Sequence, residues 1–273
     1  MLKTAETFRH EALLYAGEVD FLAGTLPFIR EGVAADEPVL VVVSAAKIGL
    51  LRSALGGDAD RVAFADMADV GANPARIIPA WRDFVAGHDV ANWRARGIGE
   101  PIWAARTPAE LVECQRHETL LNLAFAGVPA WWLLCPYDTG ALGPDVLEEA
   151  ERSHPCLSER GAARESAGYR GLAQAAEPFG APLPDPPTPP AELGFGSGSL
   201  AGLRELVSQQ ATAAGLDPAR TAGRLQNPMA GRERPTPERD GGRGLWMVNQ
   251  LCDLVQLRSF LDGAAVRVHV YLP

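Results

Sequence analysis

Two sets of residues carry groups suited to binding or catalysis. The first is a glycine turn, Asp240-Gly241-Gly242-Arg243-Gly244-Leu245, set just before a segment of helical pattern. Glycines ahead of a helix N-terminus let backbone amides face an anion, and the helix dipole favours a phosphate there. Such turns also serve as plain connectors. The second set is scattered through the first half: His10, Glu11, Glu100, His117, Glu118, Tyr137 and Asp138. These fall near strand ends or on helices that could border one crevice at the carboxyl ends of parallel strands, where α/β sheets bind ligands. The competing reading makes each histidine an isolated, hydrogen-bonded core residue.

Composition narrows the chemistry. Lysine occurs only as Lys3 and Lys47, so none is available downstream for a phosphate loop or a Schiff base. No G-x-x-x-x-G-K-[ST] segment occurs, so nucleotide hydrolysis of the P-loop kind is not implied. The net charge of −9 argues against a surface built for nucleic acid or an anionic membrane. It is concentrated in residues 1–190, with 16 bases and 26 acids, whereas residues 191–273 hold nine Arg and eight acids. The four cysteines, Cys114, Cys135, Cys156 and Cys252, form no C-x-x-C pair, which predicts buried thiols rather than a disulfide or zinc framework. The first residues lack an apolar signal core, and no stretch reaches the ~20 apolar residues of a membrane helix. A cytoplasmic protein is the expectation.

The positioning elements follow from periodicity. Residues 19–32 have apolar residues at helical spacing, and 38–44 form a continuous β-branched run of the kind buried in parallel sheets. Ser44 caps a helix over 47–55. Strands are predicted at 61–65, 98–103 and 130–137, with helices over 75–86, 107–126 and 143–152. Thr107, Pro108 and Glu110 carry the signature of a capping box. Strands alternating with helices predict an α/β domain built on a mainly parallel sheet over residues 1–156. Trp131 and Trp132 share a strand, so core packing of at least one ring is expected. Residues 157–177 read as loosely ordered. Seven prolines lie within residues 178–190, so 157–198 reads as a Pro-rich, semi-stiff linker. Residues 199–273 then form a small α+β module: a helix over 200–214, a second from Gly244 to Leu254, and a hairpin around Asp262-Gly263.

The tail GGRGLWMVNQLCDLVQLRS, followed by a strand ending VRVHVYL, resembles the C-terminal part of the GHKL ATPase modules of anti-sigma-factor serine kinases. That resemblance implies nucleotide-phosphate contact at Gly242, Arg243, Gly244 and Leu245. Asn227 to Pro235 resembles the segment after that family's adenine loop, whose glycine would be Gly223. The family's helix bearing a Glu base and an Asn magnesium ligand has no room between Arg220 and Pro228, and Thr221 stands where its adenine-binding carboxylate belongs. The module is therefore an incomplete one, with no catalytic residue assigned, and ATP with magnesium is the cofactor only if binding survives.

Residues 1–156 resemble the MEDS sensory domain. The matching features are Phe8-Arg9-His10, Leu14-Tyr15, Gly32 to Val43, Arg116-His117-Glu118, Cys135-Pro136-Tyr137-Asp138 and His154-Pro155. This resemblance implies signal sensing and a RecA-like fold. The two together imply an anti-sigma regulatory protein of the RsbA type. Its expected partners are a sigma factor or an anti-anti-sigma protein, a small-molecule signal and a second copy of the chain. Two alternatives stand beside it: an active serine or histidine kinase, and a ligand sensor with a vestigial tail. The His117-Glu118 pair also resembles a phosphoacceptor pair, but such pairs need a dimeric helical hairpin.

Overall fold

The computed structural model describes residues 8–88, 94–159, 161–172, 179–185, 229–235, 243–260 and 263–271. The chain divides into two units, Met1–Ala176 and Glu177–Pro273.

The first unit is a seven-stranded sheet in the order β3-β2-β4-β5-β1-β6-β7. Its strands are β1 (Arg9–Tyr15), β2 (Val39–Val43), β3 (Ala63–Asp66), β4 (Ala95–Gly99), β5 (Trp131–Asp138), β6 (Cys156–Glu159) and β7 (Ala162–Glu165). All neighbouring pairs run parallel except β6 and β7, which form an antiparallel hairpin at one edge. The helices are α1 (Gly17–Ala34), α2 (Ala45–Leu55), α3 (Met67–Val70), α4 (Ile77–Ala86), α5 (Pro108–Ala124) and α6 (Pro144–Ser153).

The predicted caps are present. Ser44 Oγ accepts from Lys47 N–H, and Thr107 and Glu110 form the reciprocal capping box that starts α5. Strand alternation assigns the two faces. Leu13, Tyr15, Val39, Val41, Val43, Ile98 and Leu134 pack with α1 and α2 residues Phe21, Phe28, Ile29 and Leu51. Each such aliphatic side chain contributes roughly 1.5–3 kcal/mol on burial. On the opposite face Trp131 lies 5.7 Å from Trp81 of α4 and 6.1 Å from Phe125 just past α5. Gly97 makes room for these rings: a Cβ there would stand 2.5 Å from Trp131 and 3.0 Å from Trp81.

Two expectations change, and one strand was not anticipated. The strand at 98–103 lies at Ala95–Gly99, because Arg96 and Ile98 pair with β2 and β5 and Pro101 has no N–H for a ladder. Residues 9–15, whose charged start hides the alternation, form a central strand. The stretch after 156, composition notwithstanding, adds β6 and β7 to the sheet. The linker positions 186–198 and the helix over 200–214 lie outside the described residues.

In the second unit, α7 (Arg243–Leu251) precedes an antiparallel hairpin of β8 (Leu254–Phe260) and β9 (Gly263–His269), whose register pairs Phe260 with Gly263. Leu245 and Val248 of α7 pack on Val255 and Leu257. Asn249 donates to the Gly231 carbonyl at 3.0 Å, tying residues 229–235 to α7. Among the described residues no helix is long and apolar enough to cross a membrane.

Candidate functional site

The seven His, carboxylate and Tyr candidates do not meet in one crevice; they divide between the two faces of the sheet. His10 and Tyr137 point to the α4–α5–α6 side, where α5 brings Glu118. Glu11 alternates to the other side and pairs with Arg9 at 2.6 Å. Tyr15 ends β1 on that same side, and Glu100 and Asp138 follow from β4 and β5.

Glu100 belongs to a closed polar knot at the carboxyl ends of the strands. Lys47, in the first turn of α2, donates to both its oxygens at 2.6 and 2.7 Å, and the Tyr15 hydroxyl donates to Oε1 at 2.6 Å. Burial pushes the Glu100 carboxyl up, against the pull of Lys47 and Tyr15, while Asp138 adds to the rise. The Lys47 ammonium also lies 5.0 Å from the Tyr15 ring and 5.1 Å from that of Phe21. Every acceptor here has a donor, and the knot holds two strand ends and a helix together.

The other cluster is different. His10 Nε2 stands 3.1 Å from Glu118 Oε2, His154 Nε2 stands 3.3 Å from the same oxygen, and Cys135 Sγ is 3.4 Å from His10 Nε2. The two rings lie 4.0 Å apart, and the Tyr137 ring meets His154 edge-on at 5.5 Å. Glu118 and His154 are fully buried, and His10 and Cys135 are 1% exposed. Ligand-type atoms of His10, Glu118, Cys135 and His154 all lie within 4.8 Å of one another.

Backbone and amide partners fix which ring nitrogens carry hydrogen. Asn122 Nδ2 donates to the Ser153 carbonyl at 2.7 Å, which turns its Oδ1 toward His10 Nδ1 at 3.1 Å. His10 must therefore donate from Nδ1. His154 Nδ1 stands 2.8 Å from the Ala150 carbonyl, an acceptor only, so it donates as well. In the neutral rings both Nε2 atoms then present lone pairs to Glu118. Among the described residues Glu118 Oε1 has no hydrogen-bond partner, and the Cys135 thiol offers one hydrogen to the whole group.

Burial, with His154 beside it, draws the His10 imidazole down to about 4, against the pull of Glu118 and Asn122. Burial pushes the Glu118 carboxyl up; hydrogen bonds from His10 and His154 hold it below the ordinary carboxylate range only when an Nε2 carries hydrogen, which the neutral rings just described do not provide. Burial and Glu118 push the Cys135 thiol and the Tyr137 hydroxyl well up.

A groove of about 360 Å³ reaches His10 from outside. It is lined by Phe8, Arg9, Arg94, Trp131, Trp132 and Cys156, among others, and so opens at the amino-terminal ends of β1, β4, β5 and β6. The Lys47–Glu100–Tyr15 knot lies at the carboxyl ends of the strands, the side where the crevice was expected. Arg9 stacks 4.1 Å from the Trp132 ring. The indole N–H groups of Trp131 and Trp132 are buried with no acceptor among the described residues. Ala130, also on the groove, has φ +52°, a strained value for a residue with a Cβ.

Cys135 and His154 are the members that residue-level reading passed over, one as a structural thiol, the other as part of a His-Pro pair. His10 lies 108 positions from Glu118 and 125 from Cys135, so no local spacing flags the set. His117 is buried on α5 beside Glu118. Of the glycine-turn candidates, Gly223 and Gly242 lie outside the described residues. Arg243 and Gly244 start α7, and Leu245 is buried in the hairpin core.

Comparison with curated proteins and with solved structures gave no match. Residues 9–155, which contain the whole His10–Glu118–Cys135–His154 cluster, match the family described as MEDS, the methanogen/methylotroph, DcmR sensory domain, and the chain belongs to that family.

Proposed function

We propose that this chain is an anti-sigma-type signalling regulator: its first unit binds a small-molecule signal, and its C-terminal module transmits the bound state to a sigma factor or an anti-anti-sigma protein. The observation that carries the sensory half is the groove at the amino-terminal strand ends. Two arginines on largely aromatic walls suit a small ligand with hydrogen-bond acceptors and an apolar body. Arg9 and Arg94 favour one with negative charge.

The output half rests on the likeness of residues 199–273 to the closing part of a GHKL ATPase module. A helix that follows a glycine-rich sequence and packs on a two-stranded hairpin supports that likeness. In this reading the module acts by protein binding, because the positions of a base, a magnesium ligand and an adenine carboxylate are not filled. The proline-rich residues 178–190 would set the reach between signal site and output.

Capture from the native host tests both halves. The full chain, cross-linked and purified, should retain a sigma factor or an anti-anti-sigma protein, and removal of residues 199–273 should abolish that retention. Recovery of neither class would sink the anti-sigma reading. Calorimetry with ATP and magnesium provides the second arm, and micromolar, magnesium-dependent affinity would replace a binding-only module by a kinase.

A further inference from the structure

We infer that His10, Cys135, His154 and Glu118 form a binding site for one divalent transition-metal ion of the zinc type, buried in the first unit behind the groove. This site goes beyond the signalling reading and stands without it.

The first argument is hydrogen-bond arithmetic. The other nitrogen of each ring is already committed, His10 Nδ1 to Asn122 Oδ1 and His154 Nδ1 to the Ala150 carbonyl. Lone pairs of two Nε2 atoms, a carboxylate oxygen and a sulfur therefore converge in a buried space. Adding one proton to one Nε2 would satisfy one edge and leave the other ring's lone pair against the carboxylate. A divalent cation satisfies all four together. Metal-bound histidines show this arrangement, with the second ring nitrogen donating to a carbonyl or amide oxygen that fixes the tautomer.

The second argument is distance. Zinc bonds of about 2.0–2.3 Å in a tetrahedron place ligand atoms about 3.4 Å apart. Three of the six separations are 3.1, 3.3 and 3.4 Å, and all six are within 4.8 Å, so a small inward shift of the wider pairs completes the tetrahedron. The third is charge. One thiolate and one carboxylate neutralise a divalent ion, as a site with no exposed surface requires. Binding accordingly displaces the Cys135 thiol proton to solvent, leaving a neutral site. Nitrogen, sulfur and oxygen together suit zinc, with cobalt(II) as its spectroscopic substitute, rather than magnesium or calcium.

The four ligands come from β1, β5, α5 and the C-cap of α6, so the ion would pin two strands and two helices around one point. His10 both lines the groove and ligates, which places the ion one side chain behind the proposed signal site.

The test uses the full chain, freed of any affinity tag and stripped with a chelator. Zinc competed against a chromophoric indicator should bind with one-to-one stoichiometry. Cobalt(II) should give the visible bands of a tetrahedral ion and a thiolate-to-metal charge-transfer band. Cys135→Ser should remove that charge-transfer band and weaken zinc by at least about tenfold. Glu118→Gln is the decisive variant, since its amide can donate to a lone-pair-bearing Nε2. It should lose tight zinc binding yet melt at or above the temperature of the metal-free parent. Absence of stoichiometric zinc or cobalt binding overturns the inference. So does binding that persists unchanged in both variants, or a Glu118→Gln protein that melts well below the metal-free parent, which would mean that Glu118 serves a buried imidazolium instead.

Discussion

Two polar clusters sit on opposite faces of one sheet, one capped by the part-exposed Lys47 and the other wholly buried, and their chemistry differs. In the Lys47–Glu100–Tyr15 knot, three donated hydrogen bonds reach one carboxylate, and charge meets opposite charge. In the His10–Glu118–Cys135–His154 cluster, acceptors outnumber donors because both rings have spent their N–H on an amide and a carbonyl. Burial amplifies either outcome, since a low dielectric strengthens a matched pair and penalises an unmatched one. The first cluster therefore explains itself as a brace. The second needs a partner from outside the chain, which is what a binding site is.

The largest predicted effect breaks the brace. Lys47→Met leaves the Glu100 carboxylate buried without its cation and should cost about 3 kcal/mol in chemical denaturation. That cost has a defined pH dependence. Burial already raises the Glu100 carboxyl above its usual value, and removal of Lys47 raises it further. A folded state that holds its proton more tightly than the unfolded state loses stability as pH rises through that window. The penalty should therefore be smaller at about pH 5 than at about pH 8. A double variant, Lys47→Met with Glu100→Met, should recover more than half of the loss, because the uncompensated charge is gone.

Next is a test of the packing that separates the two faces. Gly97→Ala drives a methyl against Trp131, Leu133 and Trp81 and should cost about 1–3 kcal/mol, measured in the same way. The unmatched cluster predicts the opposite sign for a polar change. Glu118→Gln in metal-free protein should gain about 1 kcal/mol by supplying a donor, whereas the equivalent Glu100→Gln should lose stability. If the two variants behave alike, the contrast between the clusters fails. The smallest effect concerns the groove rim. Ala130→Gly relieves a left-handed backbone and should raise stability by no more than about 1 kcal/mol, read as a melting shift of a few degrees.

How much of this was readable in the sequence varies by element. Strands at 39–43 and 131–138 and the caps at Ser44 and Thr107 depend on local composition, so pattern located them. Strand β1 was not visible, because Arg9-His10-Glu11 looks like solvent-facing chain until β5 and β6 close over both edges. Strands β6 and β7 were hidden in an Ala- and Gly-rich stretch that pairs only because β1 offers an edge. For the candidate site, His10, Glu118 and Tyr137 stood out as chemical types, while Cys135 and His154 did not.

The sequence by itself determined an acidic chain, an alternating α/β half of the family's kind, a proline-rich stretch and a tail of helix and hairpin. These follow from periodicity and composition, which act over a few residues. Tertiary structure alone decided which candidates meet. The parity of strand alternation sent His10 and Glu11 to opposite faces, and the strand order brought positions 10 and 135 side by side. It also set the Lys47 brace at the carboxyl-terminal edge and a groove at the amino-terminal one. No spacing rule could encode that, because the separation is bridged by sheet pairing rather than by the chain.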